Sequence, residues 1–187
     1  MTKKKIILVV GSHSEKQGEK HRNKCQFVAE QLADRDVHLL TGGGPGVMAK
    51  VSKYFFDRPN RRGLCLGVLP CATDKQGVVQ RNTTKEGYPN EWVEIPIQTH
   101  LPGSDPKGDE SRNHINALTA SVVIGLPGGK GTLAEMELAI RYGKKCVALV
   151  DKVDDITGLG DSDFRKSIEV VGKQRLIDFL DEVAPKK

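Results

Sequence analysis

The sequence predicts an α/β sandwich with three layers and a mostly parallel central sheet. Three observations carry this. Short apolar runs without alternation recur along the chain, as in strands buried on both faces. Segments with apolar residues at helical spacing alternate with them. Two of the strand-to-helix junctions are rich in glycine. A length of 187 residues, with 37% hydrophobic and 28% charged residues, fits one domain over 1–187 and is unlike a disordered chain.

The first strand is the β-branched run Ile6 to Val10. Lys3, Lys4 and Lys5 ahead of it give a faint likeness to an export signal. The apolar part is too short for one and no small-residue cleavage site follows, so the run is taken as a strand. It ends in Gly11-Ser12-His13-Ser14, a small polar turn able to face a ligand. A helix over roughly Glu19 to Asp34 follows, with Cys25, Val28, Ala29 and Leu32 as its buried stripe. Val37 to Leu40 is the second strand and runs into Thr41-Gly42-Gly43-Gly44-Pro45-Gly46, then a helix from Val47 to Phe56. Leu64 to Leu69 forms a third strand, closed by Pro70.

The polar stretch Ala72 to Glu91 is expected to be a loop, with room for a lid or a short helix. Trp92 to Ile97 is a strand, Leu101 to Glu110 a loop, and Ser111 to Ala120 a helix with Ile115, Leu118 and Thr119 facing inward. Val122 to Leu126 is a strand that Pro127 ends, and a helix to about Tyr142 follows with Gly143 as its C-terminal stop. Lys145 to Val150 is a further strand and Asp151 to Asp163 a polar loop. Phe164 to Val171 and Arg175 to Val183 are closing helices, the second with Leu176, Ile177, Leu180 and Val183 inward.

Composition excludes several roles. No apolar run approaches the roughly 20 residues of a membrane span. The four cysteines, Cys25, Cys65, Cys71 and Cys146, form no CxxC pair, and reduced, buried thiols in a cytoplasmic protein are expected. The net charge of +5 suits a phosphate-bearing small molecule, while dispersed basic residues and 5% aromatics disfavour nucleic acid.

Motifs narrow the chemistry further. In Pro127-Gly128-Gly129-Lys130-Gly131-Thr132, Gly131 separates Lys130 from Thr132, so this is no Walker A loop. The first strand ends without GxGxxG, which disfavours NAD. No HExxH, CxxC or GxSxG is present, so neither a metal, a resident cofactor nor an acyl-transfer nucleophile is expected. What remains is a pair of glycine turns at the carboxyl ends of strands, where open α/β sheets bind ligands and helix N-termini hold anions. Arg112 and Asn113 fall in the first turn of their helix, a place where Arg fits better opposite an anion or a carboxylate, a plain surface ion pair being the other reading. Thr132-Leu133-Ala134-Glu135 matches a capping box, which leaves Glu135 open to two roles, helix cap or ligand-facing carboxylate.

Gly42 to Met48 resembles the GGGxxGxM turn of the LOG ("lonely guy") family, long labelled lysine-decarboxylase-like, and Pro127 to Glu135 matches that family's PGGxGTxxE signature. The family also has an Arg ahead of the signature Glu, a place that Arg112 suits. The resemblance implies a Rossmann-like fold that cleaves the N-glycosidic bond of a nucleoside 5′-monophosphate, giving free base and ribose 5-phosphate. It implies Arg112 and Glu135 as the catalytic pair. The phosphate and nucleotide would then lie against Gly11 and Ser12, against Gly43, Gly44, Gly46 and Met48, and against Pro127, Gly128, Gly129, Gly131 and Thr132, with Arg112 and Asn113 opposite. A homo-oligomer, dimer or tetramer, is implied as well. Ser111-Arg112-Asn113, with Ile115-Asn116 after it, also resembles the related molybdenum-cofactor carrier proteins, which share the fold and bind a phosphorylated pterin without turning it over.

Overall fold

The computed structural model describes residues 3–103 and 109–186. One sheet of eight strands organises it: β1 (Lys5–Val10), β2 (Val37–Thr41), β3 (Cys65–Thr73), β4 (Val79–Thr84), β5 (Ile95–Pro102), β6 (Val122–Gly125), β7 (Lys145–Ala148) and β8 (Ile168–Val170). The order is β4-β3-β2-β1-β6-β7-β8, with β5 also paired to β3. Every pairing is parallel except β3 with β4.

Alternation along β1 explains the layers. Ile7 and Val9 point to one face, where α2 (Arg22–Ala33), α3 (Val47–Phe56) and α6 (Lys173–Val183) close the core. Leu8 and Val10 point to the other, covered by α4 (Asn113–Thr119) and α5 (Lys130–Arg141). Burial on both faces requires the continuous apolar strands seen in the sequence. The three-layer α/β fold with a mostly parallel sheet is therefore present.

Several elements differ from the expectation. The first helix is two: α1 (Glu15–Lys20) and α2, broken at His21. α1 has no apolar stripe and is instead docked through Gly18, where a Cβ would lie 2.6 Å from the Gly46 carbonyl carbon. The third strand runs past Pro70 to Thr73. Its ladders slip between Leu69 and Cys71 and between Cys71 and Ala72, so Pro70 sits where no regular N–H bond is needed. The 72–91 stretch holds no helix: most of it is a hairpin in which the exposed, polar β4 pairs with the end of β3. Trp92 precedes β5, which starts at Ile95 and reaches Pro102. The expected 101–110 loop lies partly, at 104–108, outside the described residues.

α4 buries Asn113, Asn116 and Ala117, while Leu118 is 54% exposed and Thr119 is exposed too. The expected helix over 164–171 is a short 3₁₀ turn followed by β8, whose Ile168 pairs with Cys146. In α6, Phe179 joins Leu176, Leu180 and Val183 in the core in place of Ile177. All four cysteines are free and buried. Burial pushes the Cys25 and Cys146 thiols up to about 12 and Cys65 to about 11, which leaves them inert.

Candidate functional site

The chain leaves β1 toward β2 and β3 on one side and returns to β6, β7 and β8 on the other. The order of strand addition therefore reverses between the parallel β1 and β6, and a crevice opens beyond their carboxyl ends. Ser12 ties the loops there. Its N–H donates to Pro127 O at 3.1 Å, and its carbonyl accepts from Val47 N–H at 2.8 Å. The turns after β1, β2 and β6 are thus joined at one residue.

A cavity of about 360 Å³ fills the crevice. Of the residues expected from sequence, Gly11, Ser12, Met48, Arg112, Asn113, Gly129, Gly131, Thr132 and Glu135 line it. Gly43, Gly44, Gly46, Pro127 and Gly128 do not. The β2–α3 turn is screened: Tyr88 lies over Gly44, where a Cβ would meet its ring at 2.5 Å. Asn90 holds the same turn, its N–H donating to Gly43 O at 2.7 Å and its Nδ2 to Gly44 O at 2.9 Å. Gly128 faces the 151–157 segment instead, donating to Asp155 O at 2.9 Å and accepting from Thr157 N–H at 3.0 Å.

The start of α5 differs from the capping-box expectation. The N-cap is Gly129, and no side chain caps the helix. Thr132 sits three residues inside, and the first intrahelical bond runs from Leu133 N–H to Gly129 O at 3.2 Å. Glu135 is not a cap: its Oε1 accepts from Asn116 Nδ2 at 2.7 Å. Burial pushes the Glu135 carboxyl above the usual carboxylate range, opposed by the Arg112 guanidinium and the Asn116 bond. Arg112 is itself buried. Its Nη1 donates to Val68 O at 2.8 Å, its guanidinium lies 5.9 Å from the Tyr88 ring centre, and its Nε has no partner among the described residues.

Sequence reasoning missed Lys85 and Tyr88 on the cavity wall, and gave no separate role to His13 and Lys130, which also line it, or to Asn116 behind it. Asn116 had a signal: with Arg112 and Asn113 it forms a polar stripe at helical spacing. Tyr88 had only a weak one, a lone aromatic among turn formers. Among the described residues, no group of three or more His, Cys, Asp or Glu is placed to hold a metal ion.

Residues 4–176 match the SLOG cluster4 family. The chain belongs to that family. The molybdenum cofactor carrier protein of Chlamydomonas reinhardtii superposes on this SLOG chain with a TM-score of 0.71 at 26% identity, covering 97% of this chain and 98% of its own. The molybdenum cofactor binding protein of Rippkaea orientalis gives 0.66 at 26% identity, over 98% and 99%. An uncharacterized protein of Archaeoglobus fulgidus is 26% identical over 122 residues, 65% of this chain and just under two thirds, 66%, of its own length. No helix among the described residues is long and apolar enough to cross a membrane.

Proposed function

We propose that this SLOG protein binds and carries a phosphorylated heterocycle, foremost a phosphorylated pterin of the molybdenum-cofactor type. The observation that carries the reading is the cavity at the open start of α5, ringed by Lys85, Arg112 and Lys130. The phosphate would sit against the N–H groups of Gly129, Lys130, Gly131 and Thr132, where the helix dipole favours an anion. The buried Arg112, its Nε unpartnered among the described residues, supplies the charge opposite. A volume of about 360 Å³ is within the range of small-molecule sites. The wall fits the phosphate and ring of such a cargo. It presents no thiol to the cargo's metal, since all four cysteines are buried and none lines the cavity. The relatives named as molybdenum cofactor carrier and binding proteins support the same reading.

One observation favours a second reading, the phosphoribohydrolase implied by the PGGxGTxxE match. Glu135 faces the cavity rather than the helix end, and burial holds its carboxyl high, as suits an acid–base group. It would stand beside an oxocarbenium-like transition state as the N-glycosidic bond breaks.

Mass spectrometry of the ligand released from protein purified from cells tests the carrier reading, together with incubation against a panel of nucleoside monophosphates. A retained phosphorylated pterin and no free base are expected. Release of free base from AMP, lost in Glu135→Gln, would replace the carrier with the hydrolase. In the same proposal the chain acts as one domain, 1–187, within a cytoplasmic homo-oligomer, which light scattering on the purified protein checks.

A further inference from the structure

A second cavity, of about 420 Å³, lies on the other side of the β6–α5 turn, between α1 and the 151–157 segment. The two cavities share Ser12 and Gly129. The wall of the second is fixed from several directions. Gly128 exchanges two backbone bonds with it, from its N–H to Asp155 O and from Thr157 N–H to its carbonyl. The Asp155 carboxylate accepts from the N–H groups of Asp151 and Lys152, both at 3.1 Å. Ile156 and Leu159 anchor the segment in the core, both fully buried.

The second cavity carries charges of both signs, with Lys20, His21 and Lys152 lining it beside Asp154 and Asp155. Lys20 and Lys152 line it, and neither takes part in an ion pair among the described residues. Gln17, Asp154 and Thr157 line it too, and offer donors and acceptors for hydroxyl groups. Between the cavities, a Cβ on Gly129 would meet nothing within 4 Å, and its φ of −96° is open to any residue. Packing and backbone conformation leave the Gly129 position bare, with room for a ligand to pass close to the main chain.

We propose that the site accepts a pyrophosphate-linked dinucleotide, with one half in the Arg112–Glu135 cavity and the second nucleoside in the Lys20–Lys152 cavity. The pyrophosphate crosses at Gly129. This rests on the phosphate-binding reading of the α5 start and adds the class of cargo: the dinucleotide form rather than the monophosphate. A monophosphate fills the first cavity and leaves the two lysines unused. A dinucleotide places its second phosphate within the field of those lysines and its second ribose toward Asp154, as acidic residues hold ribose hydroxyls in other α/β folds.

Calorimetric titration of the full chain with inorganic phosphate, AMP and diadenosine diphosphate tests this, in wild type and in the double variant Lys20→Glu/Lys152→Glu. Both lysines are exposed, so the variant is expected to fold. The dinucleotide is expected to bind at least about tenfold more tightly than AMP, because its second half binds at high effective concentration. The double reversal is expected to erase that gain and leave AMP unchanged. Equal affinities, or a gain that survives the reversal, would overturn the inference and leave the phosphate reading standing. Binding of inorganic phosphate with neither nucleotide would do the same. If phosphate itself fails to bind, the reading of the α5 start falls together with the inference.

Discussion

At the end of β2 every glycine is hemmed in by protein; at the end of β6 two of them face open space. A Cβ on Gly42 would lie 2.7 Å from the Arg112 guanidinium, on Gly43 2.4 Å from Leu69, on Gly44 2.5 Å from Tyr88 and on Gly46 2.5 Å from Ser12 O. Gly43 and Gly46 also have φ of +74° and +70°. A Cβ on Gly129 or Gly131 would meet nothing within 4 Å, and neither has positive φ. The same residue in the same strand-to-helix setting thus answers two demands. The β2–α3 glycines let parts of the protein touch each other. At the start of α5, Gly129 and Gly131 keep the wall of a cavity bare.

The largest expected effect tests the first half of this contrast. Gly46→Ala places a side chain in a backbone region reserved for glycine and drives it into Ser12 and His13. A loss of about 3–5 kcal/mol in urea unfolding is expected, from backbone strain and overpacking together. The next tests the second half. Gly131→Ala sits inside α5, where alanine is the better helix former, so stability is expected to hold or rise by about 0.5–1 kcal/mol. Affinity for phosphate at the proposed site is expected to fall about tenfold or more in calorimetry, because the new methyl projects onto the cavity wall. A Gly131→Ala protein that unfolds, or a Gly46→Ala protein that does not, would break the comparison.

From sequence alone the two turns looked alike, because spacing shows that a glycine follows a strand but not what lies across from it. The buried strands and α3 were legible, since burial on both faces or on one stripe writes a periodic signal. β4 was not, because an exposed edge strand of Val79-Gln80-Arg81-Asn82-Thr83-Thr84 carries no apolar pattern. α1 was not, because its docking depends on Gly18 against Gly46, a contact distant in sequence. Arg112, Asn113 and Glu135 were found as a set, and of the two roles the spacing left open for Glu135 the helix cap is not made. The helix starts at Gly129, earlier than Thr132 suggests, and Asn116 captures the carboxylate from a neighbouring helix. The screening of the β2–α3 turn by Tyr88 and Asn90 was invisible, since it comes from irregular chain after β4 whose sequence does not show what it covers.

That screening gives a smaller test. Asn90→Ala removes the Nδ2 bond to Gly44 O and leaves that carbonyl short of a partner in a buried setting. A loss of about 1–2 kcal/mol is expected in urea unfolding. Phosphate affinity is expected to stay within about twofold of wild type, because Gly44 is not on the cavity wall. A large drop in affinity with little loss of stability would show that the β2–α3 turn belongs to the site after all.

The subtlest effect is a sign. Two forces act on Glu135: burial raises its carboxyl, while Arg112 and Asn116 lower it, and burial is the larger. The folded state then holds the proton more tightly than the unfolded chain does. Its contribution to stability is full below the unfolded value of 4.5 and is lost as pH rises through the higher folded value. Glu135→Gln keeps the shape and cannot ionise. Its stability relative to wild type is therefore expected to rise as pH climbs from about 4 toward neutrality, by ~1.4 kcal/mol for each pH unit by which the carboxyl is displaced. Unfolding curves of both proteins across that range measure it. If Arg112 governed instead, the carboxyl would be held low and the ordering would reverse, with wild type gaining on the variant as pH rises. The reversed sign would make Glu135 a permanently ionised partner of Arg112, which suits an anchor for a cation-bearing arginine better than an acid–base group at the open end of α5.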